Sequence, residues 1–554
     1  VRALPKETES MRRIATCLLA LLWLCPPLFA KEELATFGEV VDVHVINLEV
    51  VVTNRQGERV PGLPAEAFTL LVDDKPVNIQ YFSEIREGKA LGTGTSQAVV
   101  SPVSAGTEVG TSYLVFVDDF FARASERNQV LDEIQASYGQ LGPNDRLAMV
   151  AWDGRRLTSI TAWTGSSLVA DSAFRMARDR PASGSITEFN QRQALVDRRD
   201  TPTGPGAFAP NAGPTETGLS LGLPIDRRAL EIARDVTRSA SAAAGAMRGL
   251  APTAEGRRVL LLLSGGWPFD PYAVAAGDQS ANPGRMIPRG RELIQPMLEA
   301  ANLLSYTIYG VDVPGLRAGG GADATQEAAV GDFENLLETE HHDLLQLAAK
   351  ETGGLALINA ERREALSAPI EDTRSYYWLG VSLERSGKGK AHDLEVRVSD
   401  PALEVRARQD FVDLSRENEV ALTLESALSF GEATLPDASL QVVLGQPKKS
   451  GVRRMKVPAT IVIPFGDVTI EPAGKAWKVE LELRVGAFDE EGNLSEVPLV
   501  PIKLDLPTRP HPSQFARYDT ELVLRRADQE LILALVDPRT LIMKASPTLR
   551  LIAP

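Results

Sequence analysis

Apolar positions along the chain change period several times, and each change marks an element. Residues 39–53 are dense in β-branched side chains with partial alternation, which is strand chemistry. A turn at 54–57 and apolar runs at 60–63, 68–74 and 77–82 extend this into a small β module over residues 31–86. Residues 87–110, rich in Gly, Ser and Thr, predict a linker.

From residue 111 the pattern alternates between buried runs and helical periodicity. Strands are predicted at 113–118, 146–152, 257–263, 305–311 and 355–358, with 158–163 as an antiparallel hairpin partner. Helices are predicted over 127–141, 226–248, 290–303 and 340–351, the last stopped by Gly353 and Gly354. Strands separated by helices of this length imply a mainly parallel sheet covered on both faces. Residues 111–374 therefore predict a doubly wound α/β domain, carrying a Gly/Pro/Thr/Ala-rich insertion at about 179–224. Such a long excursion suits either a partner-binding loop or a surface loop.

Strand periodicity returns at 376–383, 393–399 and 404–411. Residues 375–415 are expected to pair with the N-terminal module, strand 45–53 meeting 393–399, because the two segments flank the α/β domain as halves of one module would. Short strands with turns at 489–492 and 537–539 predict a C-terminal all-β sandwich over 416–554. The fold class is multidomain: a central α/β domain flanked by β modules.

Composition narrows the function. At 554 residues the chain exceeds one core, and a formal charge of −15 argues against nucleic acid or anionic lipid as the main partner. Residues 1–30 read as upstream residues and a signal peptide: Arg12 and Arg13, an apolar run over 14–25, Pro26 and Pro27, then a cleavage site after Ala30. Met11 is a better start than Val1. Both cysteines, Cys17 and Cys25, lie in this segment, so the mature chain has no disulfide, thiolate metal site or cysteine nucleophile. An exported protein, periplasmic, cell-surface or secreted, follows, with no transmembrane segment after cleavage.

The candidate chemistry begins at the end of strand 113–118, where Asp118 and Asp119 precede Phe120, Phe121 and Ala122. Adjacent residues at a strand end point apart, so the two carboxylates seldom share a substrate, and one of them is expected to cap or hold the following loop. The run 218–222 matches a serine-hydrolase elbow around Ser220, but loop-forming residues precede it and Pro224 follows. His341, His342 and Asp343 lie near a predicted helix start; neighbouring histidines do not share a helix face, and with Glu340 they read as a solvated helix end. No phosphate loop, zinc pattern or nucleotide fingerprint stands out, and no cofactor is expected.

Segments 42–82, 117–119, 142–146, 257–266, 301–316, 344–359 and 374–380, taken in this order, resemble the von Willebrand factor type A-related proteins of the acidobacterial type. The resemblance covers roughly residues 35–415. It implies a type A-like central domain with a divalent-cation site built from an Asp-x-Ser-x-Ser loop, a Thr from a second loop and an Asp from a third. Mg²⁺ favours such hard oxygens in octahedral array. Here Asp118 matches the first Asp, but Phe120 and Ala122 stand at the serine positions and Gly265, after Ser264, at the third-loop Asp. Reading the loop from Asp119 places Phe121 and Arg123 there instead. Thr215 and Thr217 are the second-loop candidates within the insertion. The metal site is thus degenerate. The expected function is non-enzymatic protein binding or adhesion, using Asp118, Asp119, Phe120, Phe121, Ser264 and Gly265, with the phenylalanines as apolar anchors if exposed and as core if buried. The alternatives are metal-dependent binding at Asp118 and Asp119, or hydrolysis by Ser220.

Overall fold

The structure, a computed structural model, describes residues 43–91, 104–184, 223–250, 256–276, 286–315, 327–384, 388–415, 439–474, 476–489, 499–538 and 543–554, with isolated positions between 418 and 428. The segment 1–30, expected to be upstream residues and a signal peptide, and most of the 179–224 insertion, with Thr215, Thr217 and Ser220, lie outside these residues.

The N-terminal strands are β1 (Val43–Thr53), β2 (Phe68–Val72), β3 (Lys75–Val77), β4 (Tyr81–Arg86) and β5 (Lys89–Leu91). β5 falls where only a linker was expected. It hairpins onto β4, and the chain returns alongside it, with Ala90 N–H donating to Thr107 O at 2.9 Å.

The α/β domain contains β6 (Thr111–Asp118), α1 (Ala124–Ser137), β7 (Arg146–Trp152), β8 (Leu157–Thr164), α2 (Ser167–Arg178), α3 (Leu223–Gly249), β9 (Arg257–Ser264), α4 (Pro271–Ala276), α5 (Arg291–Leu303), β10 (Tyr306–Asp312), α6 (Glu327–Thr352), β11 (Ala356–Leu357) and α7 (Ser367–Arg374). Its sheet runs β11-β10-β9-β6-β7-β8, parallel except for antiparallel β8. Alternate side chains separate two cores. Leu114, Phe116, Leu260 and Leu262 face one, with residues of α3 and α5. Tyr113, Val115, Val117, Leu261 and Leu263 face the other, with Val130, Leu131 and Ile134 of α1 and Ala170 and Phe174 of α2. Burial on both faces explains the continuous apolar runs of β6, β9 and β10.

The chain then re-enters the β module with β12 (Tyr376–Glu384), β13 (Lys390–Val398), β14 (Glu404–Arg406) and β15 (Asp410–Asp413). Two sheets form, β14-β1-β12-β4-β5 and β15-β13-β2-β3, enclosing Leu48, Val50, Phe68, Phe82, Tyr377 and Leu394. Residues flanking the α/β domain thus pair, Trp378 opposite Ser83 and Leu394 opposite Val72. The particular partners differ from expectation. β1 lies beside β12 and β14, whereas β13 joins β2 in the other sheet.

Asp372 on α7 anchors this module to the α/β domain. It accepts from Arg59, Arg406 and Tyr309, and Arg257 stands 3.8 Å away. Arg257 also lies over the Tyr376 ring, 5.0 Å from its centroid.

The C-terminal region is β-rich: β16 (Gln441–Leu444), β17 (Lys448–Ser450), β18 (Arg454–Pro464), β19 (Glu471–Ala473), β20 (Ala476–Asp489), β21 (Val500–Leu506), β22 (Phe515–Arg525), β23 (Gln529–Val536), β24 (Met543–Ala545) and β25 (Leu549–Leu551). β16, β17 and β22 pair with β18, while β19 to β21 and β23 to β25 build a second sheet around β20 and β23. Met455, Val457, Ile461, Leu481, Leu483, Leu522 and Leu533 share one core between the sheets. No described helix is long and apolar enough to cross a membrane.

Candidate functional site

β6 and β9 are neighbours from which the chain proceeds toward opposite edges of the sheet. Such a topological switch point places a crevice at the carboxyl ends of the two strands, where open α/β sheets bind ligands. Asp118 ends β6 there and Ser264 ends β9.

The crevice is filled. Asp118 is fully buried. Its Oδ1 accepts the backbone N–H of Phe120 at 3.1 Å and of Phe121 at 3.2 Å, which turns the chain sharply after the strand. Its Oδ2 accepts the indole N–H of Trp267, a side chain 1% exposed. Burial pushes the Asp118 carboxyl up to about 7 against the pull of these three donors, and the neighbouring charge of Asp119 adds to the rise.

Asp119 turns to the other side. It accepts from Arg127 Nη1 at 2.5 Å and from Arg180 Nε at 2.8 Å. Arg127, buried on α1, also donates to the carbonyls of Arg178 and Arg180 at 3.0 Å each, fastening the chain that follows α2. Burial raises the Asp119 carboxyl, and both guanidinium groups oppose the rise. The fastened segment closes over the strand end: Ser183 N–H donates to Asp119 O at 2.7 Å and Gly184 N–H to Ala122 O at 3.0 Å. A Cβ on Gly265 would lie 2.5 Å from Ala122 Cα and 2.6 Å from Phe121 O. Backbone therefore meets backbone where a ligand would enter.

This geometry corrects the sequence reading of the face. Asp118, Asp119, Phe121 and Ser264 are buried and present no surface to a partner. Phe121 is core; Phe120 and Gly265 are half-buried. Phe120 packs edge-on against Phe121 with ring centroids 4.9 Å apart, so neither ring is a free apolar anchor. Asp118 does hold the following loop, and Trp267, Arg127 and Arg180 are the partners sequence reasoning missed. Trp267, a large donor two residues beyond Gly265, was the available signal.

A second polar cluster stands at the ends of β9 and β10. Asp312 accepts from His342 Nε2 at 3.2 Å and from Asn359 N–H at 3.1 Å, with His341 Nε2 at 3.7 Å. Burial pushes His341 down to about 4 against the pull of Asp312. Burial also opposes ionisation of Asp312, but the His342 hydrogen bond and the His341 charge hold it near 2. Among the described residues no hydrogen bond reaches the Ser264 hydroxyl, and the His341 ring faces the backbone of Ser264 and Trp267, which oppose the effect of burial. Ser264, Asp312 and His341 meet only as buried side chains, with His341 beyond hydrogen-bond reach of the carboxylate. The solvated helix end expected at Glu340 is also corrected. α6 begins at Glu327, and Glu340 is a buried acceptor of Asp270 N–H. Among the described residues no group of three His, Cys, Asp or Glu side chains is arranged to hold a metal ion.

No family model matches the chain, and no curated protein matches it. Among solved structures, it is similar to pilus adhesin SpaC from Lactobacillus rhamnosus GG, with 8% identity, TM-score 0.24, and coverage of 87% of this chain and 60% of that one. It is also similar to a structural-genomics target solved by X-ray crystallography, with 16% identity, TM-score 0.14, and coverage of 22% of this chain and 91% of that one. Neither likeness assigns a fold or a role to this chain.

Proposed function

We propose that this chain is an exported, non-enzymatic binding protein whose central domain is type A-like and whose ancestral cation position has become part of the core. The reading is supported by a sheet whose strands, numbered along the domain, lie in the order 3-2-1-4-5-6 with an aspartate ending the first. The observation that carries it is the bonding of Asp118, whose two oxygens are committed to Phe120, Phe121 and Trp267. Three of the four acceptor sites of this carboxylate are taken and the group is fully buried, which leaves little of it for a cation that also needs water or a partner's oxygen. Recognition then uses protein surface elsewhere and does not depend on divalent ions.

Calorimetry with Mg²⁺, Mn²⁺ and Ca²⁺ tests this. No micromolar binding is expected. Binding that disappears in Asp118→Ala would establish the alternative, a non-standard metal site at Asp118 and Asp119. Partner capture from an envelope fraction is expected to be the same with and without EDTA.

A further inference from the structure

β22 is the outermost strand on one side of its sheet, and its pairing shows which backbone groups it leaves open. It runs antiparallel to β18 through eleven consecutive pairs without a register shift, from Arg454 opposite Arg525 to Pro464 opposite Phe515. Hydrogen bonds just beyond both ends set the phase: Phe465 N–H donates to Gln514 O at 3.0 Å, and Arg526 N–H to Arg453 O at 2.9 Å. Residues 514 and 526 thus bond toward β18, and bonded pairs alternate along an antiparallel ladder. Even-numbered residues of β22 therefore spend their backbone groups on β18. Phe515, Arg517, Asp519, Glu521 and Val523 direct theirs outward, and among the described residues no strand pairs with them.

The strands that end the other sheets are protected by familiar means. β3, β5 and β14 have three residues each, β11 two and β15 four. β8 carries register shifts, and β21 contains Pro501. β22 is eleven residues long, regular and free of proline. Two of its residues are also exposed apolar side chains, Phe515 at 68% and Val523 at 41%.

The solvent-facing row reads Phe515, Arg517, Asp519, Glu521, Val523. Laid antiparallel to itself about Asp519, it places Phe515 opposite Val523, Arg517 opposite Glu521, and Asp519 opposite Asp519. Both apolar side chains find apolar partners, and both flanking charges find opposite charges. The existing bonds permit this: Arg517 binds Asp519 through Nε at 3.1 Å and Thr460 through Nη2 at 3.4 Å, and Glu521 binds Lys456 through Oε1 at 2.6 Å, leaving Nη1 and the second oxygen. In this register even-numbered residues also meet, so Ala516 and Tyr518, half-buried at the rim of the sandwich core, face Leu522 and Thr520 of the other copy.

We propose that β22 pairs with β22 of a second copy of this chain, joining two sheets across a two-fold axis at Asp519. The inference is independent of the function proposed above.

Sedimentation velocity of the full chain across about 1–100 µM is the test. A monomer–dimer equilibrium is expected. Glu521→Pro removes an outward N–H without touching the ladder to β18; it should leave far-UV circular dichroism and Tm unchanged and abolish the dimer. Arg517→Glu and Glu521→Arg should each weaken association by about tenfold or more, and together restore it. Residues 517 and 521 are too far apart within one strand to compensate each other, so rescue reports contact between copies. Asp519→Asn should tighten the dimer by removing like charges at the axis. A monomer throughout this range, or a dimer indifferent to Glu521→Pro, overturns the proposal, as does a charge-swapped pair that fails to recover.

Discussion

The indole N–H of Trp267 donates to Oδ2 of Asp118, at the switch point where the carboxyl ends of β6 and β9 lie side by side. One side chain thus occupies the space above the switch point and satisfies the carboxylate below it. Trp267→Phe keeps most of the volume and removes the donor. A buried acceptor left unsatisfied costs about 1–3 kcal/mol, more when charged. Chemical denaturation should show a loss of that order. In Asp118→Ala the same tryptophan substitution should cost less, a coupling that a double-mutant cycle reads directly.

Two buried groups at this end of the sheet, Asp118 and His341, respond to pH in opposite senses. His342, raised by its hydrogen bond to Asp312, titrates in the same sense as Asp118. Burial raises Asp118 to about 7, so the fold favours its protonated form. Its contribution to stability is full below the unfolded pKa of about 3.9 and is lost as pH rises through 7. His341 is depressed to about 4, so its contribution is full above an unfolded value of about 6.5 and is lost as pH falls through 4. The wild-type profile between these limits is therefore a composite. His341→Phe should leave a profile that declines toward neutral pH, and Asp118→Asn one that declines toward acid. Identical profiles in the two variants would refute the assignment.

The apolar periods made the strand positions legible, because β6, β9 and β10 are buried on both faces and read as unbroken runs. The strand-end aspartates were legible for the same reason. What filled the crevice was not, since the partners of Asp118 and Asp119 come from positions 127, 180 and 267, and no local pattern joins them. α2 was missed although Ala170, Ala173, Phe174 and Ala177 follow helical spacing opposite a polar face, a signal that was present in the sequence. β5 was missed because three residues carry too short a period against a Gly-rich background.

Asp372 should be the most sensitive position at the junction of the α/β domain and the β module. Arg257 beside it is 1% exposed, and Arg59 and Arg406 converge on the same oxygen. Coulombic attraction from the three arginines, Arg406 foremost, outweighs burial and holds the carboxyl below the usual carboxylate range. Asp372→Ala leaves a buried guanidinium without its counter-ion, which costs about 3–5 kcal/mol. Calorimetry should show the loss, with the module melting separately from the α/β domain. Arg59→Ala, at a side chain 31% exposed, should cost well under half as much.

Supplying the ligands of a type A metal site should not create one here. Phe120→Ser and Ala122→Ser supply hydroxyls, and Gly265→Asp supplies the missing carboxylate. The Cβ of residue 265 would, however, meet Ala122 Cα at 2.5 Å and Phe121 O at 2.6 Å, and both are backbone atoms that a rotamer change does not move. Gly184 meets the same segment, with its Cβ position 2.3 Å from Phe121 O. Admitting the aspartate therefore means lifting the β6 loop off β9, against the bonds that Asp119 makes to Arg127 and Arg180. The triple variant should lower Tm and bind no Mg²⁺ at micromolar concentration. Gly265→Ala alone should reproduce most of the loss in Tm, since the clash begins at Cβ. Adding Trp267→Phe should not rescue cation binding either, because the obstruction is main chain. Micromolar Mg²⁺ binding by the triple variant would show that the strand ends still open, and that Trp267 closes a site which remains intact beneath it.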